Sequence, residues 1–549
     1  MHIIIPMSGS GSRFVNAGYK ELKPLIVIDG KTIIEHVCDM FPSEDKITFI
    51  CRDVHLETTE MRAILNKVRP NAQIIATPTH KLGPVHAVSF AFDHIDDDEE
   101  VIINYCDFGV YWDYADFLKH TRARNAEGAI PAYKGFHPHM LGSTNYAFMR
   151  DEQQWMQAIQ EKKPFTDNRL NEYASSGTYY FKRGAYVKKY FPALIEQGLD
   201  LNGEYYVSMV YNLLQQDRLR ISIYEIQHML QWGTPEDVAE YRAWSQYFRE
   251  LSARHSHAFT LTKPHVNVIP MAGLGSRFSK VGYTTPKPLI PVSGKPMVIQ
   301  AVAACPQSPA PRFVCLEQHL KQYPLQAEIE KYYPAAKIIP LPAVTEGQAI
   351  TCLAGLDSVP DDVGVFIAAC DNSMLVDTNA FQALADDETV DAIVLTFKHH
   401  PSVKRNPHMY GFVEVNAREE VTGVSVKVPL SNSPDQDHAI VGAFYFKSAA
   451  LFRKAVAALQ TKNQRVNGEF YVDSIIGVLA EMGKRVKPFV VDHYICWGTP
   501  DDLKTFEYWQ SFFHKAKWHP YRIETDPDTN PVAMPALSDT LYQFAQEYA

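Results

Sequence analysis

Two stretches of this chain place glycines, an arginine and a lysine at one spacing. Gly9-Ser10-Gly11-Ser12-Arg13-Phe14 precedes Lys23, and Gly273-Leu274-Gly275-Ser276-Arg277-Phe278 precedes Lys287. Each lysine stands twelve residues after the second glycine and opens the sequence Lys-Pro-Leu-Ile. Glycines let a backbone approach phosphate closely and aim N–H groups at it. Arginine adds a two-pronged grip on phosphate oxygens. Proline after the lysine fixes the local backbone, so that the lysine can turn back over the loop. One such lysine alone reads as a solvated surface residue; its recurrence at fixed spacing ties it to the loop. The chemistry on offer is phosphate handling. Two common phosphate loops are excluded. A dinucleotide fingerprint needs glycine where Phe14 and Phe278 stand, and an acidic residue farther on, where the second stretch has Ser293 against Asp29 in the first. No Gly-Lys-Ser/Thr follows either loop, which removes the Walker type.

The two stretches are one event copied. Gly11 and Gly275 lie 264 residues apart, and the same offset joins Gly83 to Gly347 and Asp107 to Asp371. Pro138-His139-Met140 recurs as Pro407-His408-Met409. Lys162 recurs as Lys427, Gly177 as Gly442, and Asn202-Gly203-Glu204 as Asn467-Gly468-Glu469. Trp232-Gly233-Thr234-Pro235 recurs as Trp497-Gly498-Thr499-Pro500. A period this long is domain duplication rather than a solenoid. We expect domains at 1–254 and 265–519, and a tail at 520–549 ending in the helix-like sequence SDTLYQFAQEYA.

The elements that must hold these residues follow from the apolar runs. Strand-like runs fall at 46–51, 73–76 and 101–105 in the first copy and at 312–316, 336–341 and 364–369 in the second. They alternate with helical stretches such as 32–40 and 85–92. Continuous apolar strands alternating with helices predict an α/β fold with a mainly parallel sheet. Ligands of such sheets bind at the carboxyl ends of strands, where both glycine loops and Asp107 and Asp371 fall.

The loop, the Lys-Pro-Leu-Ile sequence and the Gly-Lys pair after it together resemble the sugar-1-phosphate nucleotidyltransferases. The resemblance covers nearly all of both copies, to about residue 512, and is nearest to capsule- and surface-polysaccharide-type members, including cytidylyltransferase-like ones. It implies two tandem Rossmann-like, GT-A-like domains. It also implies in-line attack by the phosphate of a small acceptor on the α-phosphorus of an NTP, with release of pyrophosphate. Arg13, Arg277 and the loop glycines Gly9, Gly11, Gly273 and Gly275 would hold the triphosphate. Lys23 and Lys287 would stabilise charge at the α-phosphoryl group. Gly83 and Gly347 match the segment that lies against the base. Their flanking residues differ, Leu82 and Pro84 against Glu346 and Gln348, which suggests different bases or acceptors. Lys162 and Lys427 would take the acceptor phosphate, with Gly177 and Gly442 lining that site, and Glu204 and Glu469 would bind an acceptor hydroxyl or help to hold metal. Asp107 and Asp371 would be Mg²⁺ ligands. A second aspartate, common in the family, is replaced by Gln231 and Cys496. His139 and His408 read as structural histidines.

Two other functions fit less of this. A GT-A glycosyltransferase would carry an Asp-x-Asp metal motif, where this chain has Cys-Asp-Phe and Cys-Asp-Asn. A pairing of one catalytic copy with one nucleotide-sensing copy would make the first copy the sensor, since it has Leu22 for Pro286 and Phe108 for Asn372.

The bulk numbers set the remaining bounds. The chain has 549 residues, 46% hydrophobic and 21% charged, with a formal net charge of −10. That balance argues against a nucleic-acid partner, which needs a basic face. Eight scattered cysteines with no Cys-x-x-Cys pair are expected as reduced thiols. No signal-peptide pattern and no span-length apolar run is evident, so the expected location is cytoplasmic, without membrane insertion. The expected partners are an NTP and a phosphorylated small molecule, and the oligomeric state is left open.

Overall fold

The apolar runs become sheet strands, and the central ones are buried along their whole length. This is seen in a computed structural model that describes residues 1–44, 46–253 and 259–534. The chain divides by contacts into two units. The first is Met1–Ser245 with Ser511–His519, and the second is Gln246–Gln510 with the segment from Pro520. This division differs from the boundaries expected at 254, 265 and 519, because it falls within the long helices Pro235–Ala253 and Pro500–Lys515. Of the expected tail, 520–534 carries two short 3₁₀ turns, Ile523–Thr525 and Pro531–Ala533, while the helix-like 538–549 lies outside the described residues.

In the first unit, β1 (His2–Met7), β2 (Ile47–Arg52), β3 (Gln73–Thr77) and β4 (Val101–Asn104) form a parallel block in the order β3-β2-β1-β4. β1, β2 and β4 are buried at every position, as strands covered on both faces must be. β5 (Gly128–Tyr133), β6 (Ala147–Glu152), β7 (Trp155–Glu161), β8 (Tyr173–Ser175), β9 (Thr178–Phe181) and β10 (Ile221–Glu225) extend the sheet to ten strands, in the order β8-β6-β7-β10-β5-β9-β4-β1-β2-β3. β9 runs antiparallel to both of its neighbours, so the sheet is mixed beyond the parallel block. A capping box of Thr32 and Glu35 starts the helix Ile33–Asp39.

The second unit repeats the plan. β11 (His265–Met271), β12 (Arg312–Leu316), β13 (Lys337–Leu341) and β14 (Gly364–Ala368) make its parallel block, in the order β13-β12-β11-β14. β15 (Ala392–Phe397), β16 (Gly411–Val415), β17 (Val421–Val426), β18 (His438–Phe446) and β19 (Val486–Val490) complete nine strands, with β18 antiparallel between β14 and β15.

Each unit adds a two-stranded ribbon, Phe108–Tyr111 with His228–Gln231 and Asn372–Leu375 with His493–Cys496. The ribbons bring the Trp-Gly-Thr-Pro sequences back to the ends of β4 and β14. All eight cysteines are free thiols. Among the described residues no helix is long and apolar enough to cross a membrane.

Candidate functional site

Each glycine loop leaves the carboxyl end of the first strand of its block. Gly11 (φ 62°) and Gly275 (φ 61°) take the left-handed conformation that starts the helices Ser12–Asn16 and Ser276–Ser279. The 3₁₀ turns Lys23–Leu25 and Lys287–Leu289, each with proline in second place, carry the lysines back over the loops. A Cβ on Gly275 would come within 3.1 Å of the Lys287 Cβ. The lysine therefore lies over the loop, as the spacing predicts.

There each lysine meets the aspartate at the end of the central strand. Lys23 Nζ donates to Asp107 Oδ2 at 2.5 Å, and Lys287 pairs with Asp371 in the same way. These four side chains are 19–29% exposed, open enough for a ligand to reach them. Burial opposes the Lys287 charge, but the Asp371 carboxylate beside it more than offsets this and raises its proton affinity. Trp232 N donates to Asp107 O and Trp497 N to Asp371 O, so the aspartates are tied to the ribbons.

The glycine that follows each tryptophan was not singled out from sequence. An added Cβ at Gly233 would lie 3.4 Å from Asp107 Oδ2, and one at Gly498 would lie 3.2 Å from Asp371 Oδ2. These glycines keep the face of the carboxylate open. The signal that finds them is the recurrence of Trp-Gly-Thr-Pro itself. A second residue missed in sequence is histidine. His55 and His319 also stand 264 residues apart, in the helices Asp53–Thr58 and Glu317–Gln322. His55 lines a cavity of about 90 Å³ with Gly9, Gly11, Lys23 and Cys106. The Nδ1 of His319 is buried with no hydrogen-bond partner among the described residues. Burial lowers the proton affinity of both imidazoles.

Arg13 and Arg277 follow the loops, and among the described residues neither has a carboxylate partner. Arg13 lines a cleft of about 520 Å³ with Ser143, Asn145 and Thr234. Ser143 and Asn145 belong to a short insertion of the first copy, after Pro138-His139-Met140.

Gly83 (φ 85°) and Gly347 (φ 133°) are glycines because another backbone passes against them. An added Cβ would lie 2.8 Å from Tyr205 N and O in the first unit, and 2.4 and 2.6 Å from Phe470 N and O in the second. Tyr205 N donates to Leu82 O, and Phe470 N to Glu346 O. This stitching brings the Asn-Gly-Glu turns, and so Glu204 and Glu469, beside Gly83 and Gly347. Gly347→Ala should therefore destabilise the second unit by about 1–3 kcal/mol through overpacking, read as a lowered thermal midpoint. Gly273→Ala, whose added methyl meets nothing within 4 Å, is the control. An unchanged midpoint for Gly347→Ala would contradict the close approach.

Lys162 (φ 56°) and Lys427 (φ 60°) both hold a left-handed backbone, which costs a non-glycine residue on the order of 1–2 kcal/mol. Lys162 N donates to Tyr146 O at 2.8 Å, and Lys427 N to Tyr410 O at 2.9 Å. Their ammonium groups differ. Lys162 Nζ donates to Tyr206 OH at 2.6 Å, and Tyr206 OH donates to Glu204. Lys427 Nζ instead lies 5.2 Å from the centre of the Tyr471 ring.

Gly177 (φ 98°) packs on the Phe108 ring, where an added Cβ would come to 2.8 Å. Gly442 (φ 89°) faces Asn372, whose Nδ2 donates to Val441 O. Both glycines thus sit on the residue that follows the aspartate. His139 is packed with Tyr133 and Tyr146, its Nε2 at 3.0 Å from Tyr133 OH, while His408 Nδ1 lies 3.1 Å from Lys427 O.

The oxygen donors at these sites are few. Among the described residues no group of three His, Cys, Asp or Glu side chains could hold a metal ion by itself. Asp237, near Asp107, is occupied in a capping box with Thr234, and Asp502 is occupied likewise with Thr499. Burial raises Asp237 to about 6 and raises Asp502 as well. One carboxylate per site outside a capping box, Asp107 or Asp371 with its lysine beside it, suits Mg²⁺, which binds through one or two carboxylates together with substrate phosphates and water.

Several known proteins resemble this chain. The model of a family described as "MobA-like NTP transferase domain" matches residues 3–169 and again residues 267–468. The bifunctional protein GlmU of Bacillus velezensis is 25% identical over 234 residues, which cover 41% of this chain and 47% of that protein. The GlmU of Bacillus subtilis is 24% identical over 234 residues, with the same shares. The match thus spans about half the length of these curated relatives. Among solved structures, a nucleoside-diphosphate-sugar pyrophosphorylase of Vibrio cholerae is 23% identical, covering 44% of this chain and 98% of its own, with a TM-score of 0.37. The inositol-1-phosphate CTP transferase of T. maritima is 14% identical, covering 45% and 96%, with a TM-score of 0.36.

Proposed function

The chain belongs, in both halves, to the MobA-like NTP transferase family, and from that premise we propose that each half transfers a nucleoside monophosphate from an NTP to a sugar phosphate or similar acceptor. Each half, 1–254 and 265–519, works as its own domain. The observation that carries this reading is the lysine–aspartate pair over a glycine loop, built twice at one spacing.

A phosphate oxygen of the acceptor attacks the α-phosphorus in line. A new P–O bond forms there, the α–β bridging P–O bond breaks, and pyrophosphate leaves with the electron pair. The nucleophile is already anionic, so the protein's work is positioning and charge neutralisation. The loop N–H groups of Gly9–Gly11 and Gly273–Gly275, with Arg13 and Arg277, hold the β- and γ-phosphates. Lys23 and Lys287 turn from their aspartates to the α-phosphoryl oxygens. Lys162 and Lys427 hold the acceptor phosphate, and Glu204 and Glu469 face its remainder. A Mg²⁺ ion carried in with the phosphates would be held by Asp107 or Asp371 and would supply further charge neutralisation. His55 and His319, kept neutral by burial, offer an N–H to the triphosphate from behind the loop. The products would be activated precursors for surface polysaccharide.

A second reading makes the first half a nucleotide sensor. It is favoured by the engagement of Lys162 with Tyr206, which Lys427 does not share.

The test is pyrophosphate release from four NTPs against a panel of phosphorylated acceptors, using the wild-type chain and the variants Asp107→Ala and Asp371→Ala. We expect one NTP–acceptor pair to be lost with each variant, and EDTA to abolish both activities. Pairs lost only with Asp371→Ala would favour the sensor reading. No pyrophosphate from any pair, with nucleotide still bound, would end the transferase reading.

A further inference from the structure

Beside each acceptor lysine lies a part-buried carboxyl group, and the two halves supply it from different elements. In the first half it is Glu161, the last residue of β7, which accepts from Ser208 Oγ at 2.6 Å. In the second half the strand position before Lys427 is Val426, and no carboxyl stands there. Instead Asp473, the second residue of the helix Val472–Glu481, occupies the position of Ser208 and interacts with the Lys427 charge. The correspondence does not rest on counting alone. Both lysines are left-handed and donate their backbone N–H to a tyrosine carbonyl, Tyr146 or Tyr410. The residue after that tyrosine is Ala147 in one half and Gly411 in the other.

Gly411 explains the exchange. A Cβ added there would lie 2.4 Å from Asp473 Oδ2, so the carboxylate fills the space that a methyl group takes in the first half. Three positions have changed together, Ala147, Glu161 and Ser208 against Gly411, Val426 and Asp473. Two parts of the second set, Gly411 and Asp473, are costly by themselves. Glycine weakens a strand, and a desolvated carboxyl is unfavourable without a partner. Burial raises the proton affinity of Glu161 and that of Asp473, the latter to about 6. Among the described residues Asp473 makes no salt bridge with Lys427, and the residue as a whole is half-buried. Its acceptor capacity is therefore not spent on the lysine.

We propose that Asp473 is the acceptor-reading group of the second half. It accepts a hydrogen bond from a hydroxyl of the sugar or polyol phosphate whose phosphate Lys427 holds. Because Glu161 reaches the equivalent acceptor from a strand end rather than from a helix, the two halves take acceptors with differently placed hydroxyls. This inference rests on the transferase reading above and names the residue that sets its substrate.

The test uses the full chain carrying Asp107→Ala, so that only the second half reports, with hexose 1-phosphates, tetritol and pentitol phosphates and glycerol 3-phosphate as acceptors. Asp473→Asn keeps the shape and removes the charge. We expect it to raise the acceptor KM by roughly 10–100-fold, the loss expected for a hydrogen bond to a charged group, while the NTP KM stays within about twofold. The triple exchange Gly411→Ala, Val426→Glu and Asp473→Ser restores the first half's set. In the Asp107→Ala chain it should move acceptor preference toward that of the first half, which is measured separately in a chain carrying only Asp371→Ala. Thermal midpoints confirm that both variants fold. Pyrophosphate from the parent chain with an unchanged acceptor KM in Asp473→Asn, or with acceptor and NTP KM rising together, would overturn this assignment alone. An unchanged preference in a folded triple variant would do the same. No pyrophosphate from the wild-type chain with any pair would overturn the transferase reading and this inference with it.

Discussion

Lys287→Met should lower kcat/KM of the second half by about 10³-fold while leaving the fold intact, and Lys23→Met should do the same in the first. The magnitude follows from what the lysine faces. Removing one preorganised donor to a developing charge costs about 10²–10³ in rate, and here the donor is a full cation in a partly water-excluded site. The site offers little to replace it. The arginine of the loop, Arg277, lies toward Met409 rather than toward the aspartate. Methionine keeps the length and the apolar stem, so packing over Gly275 is preserved. The loss should fall on kcat, since the charge to be stabilised grows as the α–β bond breaks. The NTP KM should move less, because Arg277 and the loop N–H groups remain. Steady-state pyrophosphate release in a chain carrying Asp107→Ala reads the second half alone. A loss confined to NTP KM would make Lys287 a ground-state binder and move the catalytic charge elsewhere. Stability is a useful cross-check: the substitution leaves Asp371 unpaired, but at 23% exposure this carboxylate stays in contact with water, so the thermal midpoint should change little.

Much of this site was legible because duplication turns weak signals into paired ones. A single glycine loop, lysine or aspartate after a strand is ambiguous, but each recurs at 264 residues, and the structure brings Lys23 to Asp107 and Lys287 to Asp371 across 84 residues of sequence. The parallel blocks were legible for a similar reason. β1, β2 and β4 are buried on both faces, so apolar content alone marks them. The aromatic runs TYYF and AFYF also marked β9 and β18 as strands, but their antiparallel direction was not legible, since it depends on the path of the chain between strands and leaves no trace in a short apolar run. His55 recurs at the loop offset and was open to the same reasoning. It was overlooked because a lone histidine on a short helix carries no pattern of its own. Gly83 illustrates a different limit. Its recurrence marked the position, but the reason for glycine is the Tyr205 backbone 122 residues away, a contact that no local rule foresees. The exchange of Glu161 for Asp473 was hidden for the opposite reason. Aligned position by position, the copies show a glutamate lost and a serine changed, and only packing against Gly411 joins the two events.

The backbone of Lys427 allows a test in which stability and activity move in opposite directions. At φ 60° a lysine is strained by about 1–2 kcal/mol, whereas glycine is at ease there. Glycine also gives up more freedom on folding, by about 0.5–1 kcal/mol. Lys427→Gly should therefore leave the second unit as stable as before, or more stable by up to about 1 kcal/mol. A residue kept in this conformation against its own preference, at the same place in both halves, is held there for what its side chain does. If that task is to bind the acceptor phosphate, Lys427→Gly should raise the acceptor KM by about 100-fold, the value of one charge-assisted contact of about 2–3 kcal/mol, with the NTP KM unchanged. The equivalent Lys162→Gly should show a smaller rise, since Lys162 must first leave Tyr206 OH to reach a phosphate and so begins from weaker binding. Thermal unfolding and acceptor kinetics on the same samples decide the matter. A fall in midpoint together with unchanged acceptor KM would make the left-handed lysine a structural residue, and the acceptor phosphate would have to be held elsewhere.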